Sequence, residues 1–159
     1  MKNKLTIRFA NAQDIDLILY FIKSLAVYEE MLDEVIATKT ILHDALFVQK
    51  AAEVLLVYED DKPVGFALFF QTFSTFLGTT NLYLEDLFID PNYRGKGYGK
   101  AVFKYLVNLA LKRNCKRLEW VCLNWNQSAI DFYKRLGATS LDAWTTYRLD
   151  HQAMQKLSK

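Results

Sequence analysis

The stretch Leu82-Tyr83-Leu84-Glu85-Asp86-Leu87-Phe88-Ile89-Asp90-Pro91-Asn92-Tyr93-Arg94-Gly95-Lys96-Gly97-Tyr98-Gly99, continuing to Arg113, decides the fold. Leu82 to Ile89 is an apolar run of strand length, broken only by the adjacent carboxylates Glu85 and Asp86. After the glycines, Val102, Tyr105, Leu106, Leu109 and Ala110 recur at three and four, which predicts a helix to about Lys112. Glycines between strand and helix let backbone amides approach an anion with no Cβ in the way, and the helix opens there with its positive dipole end. A pyrophosphate suits that geometry. Carboxylates on the strand feeding such a cradle are an enzyme's arrangement.

Two better-known phosphate loops do not fit. Nothing in the chain matches G-x-x-x-x-G-K-[ST], and Gly95, Gly97 and Gly99 alternate instead of following G-x-G-x-x-G. The dinucleotide fingerprint also opens its domain, whereas this loop comes late in the chain, even though Glu119 stands roughly where a ribose partner would. What remains is R-x-x-G-x-G, Arg94 to Gly99. A glycine-rich turn that only joins strand to helix stays open as the plainer reading.

At 159 residues the chain is one domain's worth, able to bury about two thirds of its unfolded surface. Hydrophobic residues make up 52% and charged residues 24%, values of a soluble globular protein, and no apolar run is long enough to span a bilayer. The start, Met1-Lys2-Asn3-Lys4-Leu5-Thr6, lacks the apolar core of a signal peptide, so a cytoplasmic location is expected. Cys115 and Cys122 lack metal-ligand spacing and read as reduced and structural, and His43 and His151 are isolated, so no metal site is expected. Charge is uneven: residues 1–90 carry a net −7 and residues 91–159 a net +9. The acidic half suits a cationic substrate and the basic half a polyanionic cofactor, although solvated surface would give the same counts.

Taken in order, Leu5 to Phe9 reads as a strand and Asn11 as a cap. Ile15, Ile18, Leu19, Ile22, Leu25 and Ala26 then define an amphipathic helix ending near Tyr28 to Met31. Glu29, Glu30, Asp33 and Glu34 crowd that end, where the helix dipole disfavours acids. Thr38 caps a second helix. Val54 to Tyr58 and Val64 to Phe73 form a hairpin around Glu59 to Pro63, and the Leu82 strand follows. Arg117 to Cys122 reads as a strand parallel to it across the crossover helix. Asn126 caps a short helix from Gln127 that Gly137 stops, and Ala143 to Leu149 reads as a final strand.

Arg8, Tyr28-Glu29, Leu82 to Asp86, Tyr93-Arg94-Gly95 and Phe132-Tyr133-Lys134-Arg135 with Gly137-Ala138 make the whole chain resemble a GNAT N-acetyltransferase, closest to the spermidine/spermine and thialysine branch. The resemblance implies an α/β fold: a mixed, mostly antiparallel sheet of six to seven strands with a splayed parallel pair in its middle, flanked by four helices, in a single domain 1–159. It implies acetyl-CoA as co-substrate. Leu87, Phe88 and Ile89 would pair with the pantetheine arm, and Arg94, Gly95, Lys96, Gly97, Tyr98, Gly99 and Lys100 would hold the pyrophosphate. Asn126, Gln127, Ser128 and Ala129 would meet the cofactor's far side, with Tyr133 near its sulfur. Tyr28, Glu29, Glu85, Glu119, Trp120 and Val121 match positions that meet the amine. A homodimer is implied too; from the residues themselves no nucleic-acid or membrane partner is expected, because the aromatics and basics of the basic half fall on helical core positions rather than on a stacking platform and no apolar run is of membrane length.

The chemistry asks for such groups independently. An alkyl amine has a pKa of about 10, so at neutral pH roughly one molecule in a few thousand carries a free lone pair. Glu85 is the expected base, directly or through water, worth roughly 10² to 10⁴ in rate. Asp86 faces the other way by alternation unless a bulge re-aims it. A hydroxyl donor would ease departure of the thiolate, a role that the resemblance gives to Tyr133. The branch generally has an acid and a tryptophan shortly before the arginine of the last strand, whereas Arg148 here follows Thr145 and Tyr147, which weakens the case for long polyamines. A shorter amine, a peptide amine and a non-catalytic acyl-CoA-binding module of the same fold remain open.

Overall fold

The computed structural model describes residues 3–159, so Met1 and Lys2 of the polar N-terminal stretch lie outside the described residues. The chain forms two compact units, one up to Val121 and one from Cys122 to Lys159.

In the first unit, β1 (Leu5–Phe9), β2 (Glu53–Glu59), β3 (Lys62–Ser74), β4 (Thr79–Ile89) and β5 (Leu118–Glu119) lie in that order. The pairs from β1 to β4 are antiparallel and β4–β5 is parallel. The predicted cap at Asn11 is present: its side chain accepts from the Gln13 amide at 2.9 Å, while Asp14 accepts from the Asn11 amide at 2.8 Å. Arg8 grips Asp14 with two hydrogen bonds of 2.8 Å and holds its carboxyl below the usual range. Helix α1 (Ile15–Tyr28) follows. It closes where Glu30 takes a left-handed φ of 61° and the Met31 amide reaches back to the Ala26 carbonyl at 2.8 Å. Thr38 caps α2 (Lys39–His43), which widens into a π turn, Asp44–Val48.

Helices α1 and α2 cover one face of the sheet. Phe21 stacks on Phe66 at 5.7 Å and lies 6.2 Å from Phe88, in a cluster with Ile18, Leu46, Val54 and Leu56. Helix α3 (Tyr98–Lys112) covers the other face, where the Phe9 ring lies 6.4 Å from Phe69 and 6.2 Å from Tyr105. Each large side chain so buried contributes about 1.5–3 kcal/mol before chain entropy is set against it.

In the second unit, Asn126 caps α4 (Gln127–Arg135), with the Ala129 amide 3.3 Å from its side-chain oxygen, and Gly137 ends that helix at a φ of 87°. Asp150 caps α5 (His151–Leu157) through the Ala153 amide at 2.8 Å.

Three expectations are corrected. Five strands, not six to seven, are present among the described residues; five helices stand where four were expected; and the parallel pair lies at the edge of the sheet, not in its middle. Ala143 to Leu149 forms no ladder, and Trp144 and Tyr147 are 82% and 92% exposed. Alternating aromatic and polar residues make a strand only when a neighbour supplies backbone partners and a surface to cover. The strand expected over Arg117 to Cys122 is likewise reduced to Leu118–Glu119.

Gly65 permits the close approach of β3 to β4, because a Cβ there would stand 2.4 Å from the Phe88 carbonyl oxygen. Gly65→Ala is therefore expected to cost about 1–3 kcal/mol of stability, read as a lower urea midpoint at unchanged slope.

Candidate active site

The β3–β4 ladder pairs Phe66 with Phe88, Ala67 with Leu87 and Leu68 with Asp86, then jumps to Phe69 with Leu84. Glu85 is the extra residue of a β-bulge. Opposed residues share a face, so Asp86 lies with Leu68 and Phe88 toward α1, whereas Leu84 lies with Phe69 toward α3. The bulge thus re-aims Asp86 to the face that carries the end of α1. Glu85 itself is exposed and Asp86 half-buried. Burial pushes the Asp86 carboxyl up to about 6, and the charges of Glu85 and Glu29 push the same way. Glu29, just past α1, is also raised by burial.

Beside the bulge, β4 and β5 part company. Only Leu82–Leu118 and Tyr83–Glu119 pair, with the Leu82 amide 3.1 Å from the Arg117 carbonyl. Past Tyr83 that side of β4 has no ladder. The Asp90 amide donates to Val64 at 2.9 Å, toward β3, so by alternation the backbone groups of Ile89 and Leu87 turn to the open side.

The loop beyond β4 is a cradle. Asp90 accepts from the Asn92 amide at 2.9 Å and starts the short turn Pro91–Tyr93. Gly95 and Gly97 adopt φ of 77° and 85°, with no heavy atom within 4 Å of where a Cβ would stand at either. Helix α3 opens immediately afterwards, so unpartnered amides and a positive dipole face open space, a fit for a diphosphate.

Arg94 ties this loop to the end of α1. Its Nε donates to the Ile89 carbonyl at 2.8 Å, and its guanidinium lies 4.5 Å from the centre of the Tyr28 ring and 5.6 Å from that of Phe88. The first unit therefore gathers Tyr28, Glu29, Glu85, Asp86, Leu87, Ile89 and the loop from Arg94 to Lys100. The Phe88 side chain is in the core. Glu119 is half-buried in β5, Trp120 packs edge-on to Phe103 at 4.9 Å, and Val121 is exposed. Asn126, Gln127, Ser128, Ala129 and Tyr133 belong to the second unit, where Asn126 caps α4 and Tyr133 is half-buried, its ring 5.6 Å from Phe132. Sequence reasoning missed Glu59, whose carboxylate binds the Lys96 side chain at 2.9 Å, and no local pattern links the two. Among the described residues no group of three His, Cys, Asp or Glu side chains is placed to hold a metal ion. No helix among them is long and apolar enough to cross a membrane.

Residues 19–138 match the Acetyltransferase (GNAT) family, and the chain belongs to it. Its relatives include thialysine N-epsilon-acetyltransferase of Sus scrofa, 34% identical over 164 residues with 96% of each chain covered. L-ornithine N5-acetyltransferase of Arabidopsis thaliana is 38% identical over 95 residues, 60% of this chain and 42% of that one. A solved structure of an integron cassette protein from V. cholerae superposes with a TM-score of 0.79 at 30% identity, covering 98% of both chains. The protein is an N-acetyltransferase, in the branch that its sequence resembles.

A carboxyl whose pKa is higher in the folded than in the unfolded chain favours folding at low pH, and that contribution is lost as pH rises through the folded value, here about 6. Asp86→Asn is expected to gain stability relative to wild type between about pH 4 and 6 and to level off above about 7. A shift from 3.8 to about 6 bounds the pH-dependent gain at about 3 kcal/mol, checked by urea unfolding at stepped pH.

Proposed function

We propose that the protein moves the acetyl group of acetyl-CoA directly to the side-chain primary amine of a small cationic amino acid of the thialysine or ornithine kind. The observation that carries this reading is the bulge at Glu85. It sets two adjacent carboxylates, one exposed and one half-buried with its pKa raised to about 6, beside the open edge of β4 and a diphosphate-sized cradle. The names of the thialysine and ornithine relatives supply the substrate class.

In this reading the diphosphate rests on the amides from Gly95 to Lys100, and the pantetheine arm lies along the outward backbone of Leu87 and Ile89. Tyr28, Glu29, Glu85, Glu119, Trp120 and Val121 surround the ammonium. The carboxylates attract the amine as its cation, and then one of them must remove the proton. Asp86 titrates close to neutral pH, where a general base is most effective, while Glu85 is the member that solvent and substrate reach. The freed nitrogen attacks the thioester carbonyl carbon and the C–S bond breaks. The thiolate takes a proton from a hydroxyl donor, the role the family resemblance gives to Tyr133, and the second proton that leaves the nitrogen restores that donor by way of solvent. A homodimer belongs to the same proposal, by family resemblance.

Thiol release from acetyl-CoA against thialysine, ornithine, spermidine, diamines and a lysine peptide tests the reading. Wild type is expected to favour the amino acids. Asp86→Asn should lose roughly 10²-fold in kcat near pH 7 and recover most of it near pH 10, where the amine deprotonates itself, and Glu85→Gln should chiefly raise the amine KM. Wild-type turnover in both variants at neutral pH would remove the carboxylates from the chemistry. A preference for the peptide would reassign the substrate.

A further inference from the structure

Glu59 has no part in the reaction just described, yet it is a carboxylate only 5% exposed. Both its oxygens lie 2.9 Å from the Lys96 ammonium. The Asn3 side-chain amide donates to it as well, and the nearby Tyr98 helps to hold its carboxyl below the usual range. Glu59 ends β2, whereas Lys96 stands between the two left-handed glycines and Tyr98 begins α3. One buried side chain of the hairpin therefore holds the middle of the glycine loop. The Tyr93 ring adds a second hold, with the ammonium groups of Lys96 and Lys62 at 4.9 and 5.3 Å from its centre.

Such a loop is expensive to order, because glycine loses more backbone freedom than any other residue. A ligand that meets the loop already ordered does not bear that cost. The Lys96 ammonium, directed at Glu59, also cancels a negative charge that would otherwise oppose a diphosphate nearby.

We propose that Glu59 is a positioning residue for the diphosphate of the acetyl donor: by binding Lys96 it keeps the Gly95–Gly97 turn in the shape that presents its amides. This rests on the reading that the glycine loop holds that diphosphate. Lys96 then serves the donor through its backbone, and its side chain serves the loop.

Calorimetric binding of CoA to wild type, Glu59→Gln, Lys96→Met and the double variant provides the test. Each single variant should bind about tenfold more weakly, the worth of one charge-assisted hydrogen bond, and the double variant no more weakly than the worse single one. Unchanged or tighter CoA binding in Glu59→Gln would overturn the proposal, as would additive losses. Because Lys96 is 42% exposed, Lys96→Met keeps the test decisive should Glu59→Gln fold poorly. With acetyl-CoA as donor, kcat/KM of Glu59→Gln should fall about tenfold, and with S-acetyl-pantetheine, which has no diphosphate, by less than about threefold. Equal losses with both donors would make Glu59 a general structural support and overturn the proposal. A wild type that binds CoA, with the expected losses in the variants, but acetylates no amine would refute the proposed function and still support this role of Glu59.

Discussion

Phe21 lies flat on Phe66 and beside Phe88, and this contact fixes α1 over β3 and β4. From Phe21 the helix runs two further turns, about 10 Å, to Tyr28. The other end of the contact, Phe88, is two residues from Asp86 and close to the loop that carries Arg94. The Arg94 guanidinium touches both Tyr28 and Phe88, so one aromatic cluster sets the distance between the acidic end of α1 and the glycine cradle. Residues from three segments far apart in sequence meet because a core residue of each belongs to the same stack.

Two carboxylates of the first unit show how surroundings decide a role. Glu59 is buried but answered: Lys96 and the Asn3 amide hold its charge, and its pKa is lowered. Asp86 is half-buried and faces other acids, so its pKa rises. The first is locked in its charged form and suits an architectural task. The second sits where a small change in its neighbourhood, such as the arrival of a cation, shifts its proton, which is what a base for an ammonium group requires.

Much of this was legible in the sequence. The three-four spacing from Ile15 to Ala26 marks α1, the Asn11 and Thr38 caps mark two helix starts, and Arg94 to Gly99 marks the cradle. The bulge was not legible, since Leu84-Glu85-Asp86-Leu87 has the composition of an unbroken strand, and the break in pleat comes from how β3 pairs with it. The Glu59–Lys96 bond joins residues 37 apart, beyond the reach of any periodic pattern. Ala143 to Leu149 misleads for the opposite reason: its alternation is that of a strand, but strand formation is decided by a partner and not by the segment itself.

The bulge also means that β4 is read in two phases. Downstream of Glu85 the even-numbered positions face α1; upstream they face α3, which is why Leu82 and Leu84 are buried on the side opposite Phe88. A chain lacking just this residue would have a continuous pleat in the same register, with Leu84 following Asp86 on the opposite face and every side chain back to Thr79 on the side it now takes. The extra residue is therefore an addition that leaves the buried sides of β4 undisturbed: a charged side chain stands at the surface of the strand without displacing any core residue.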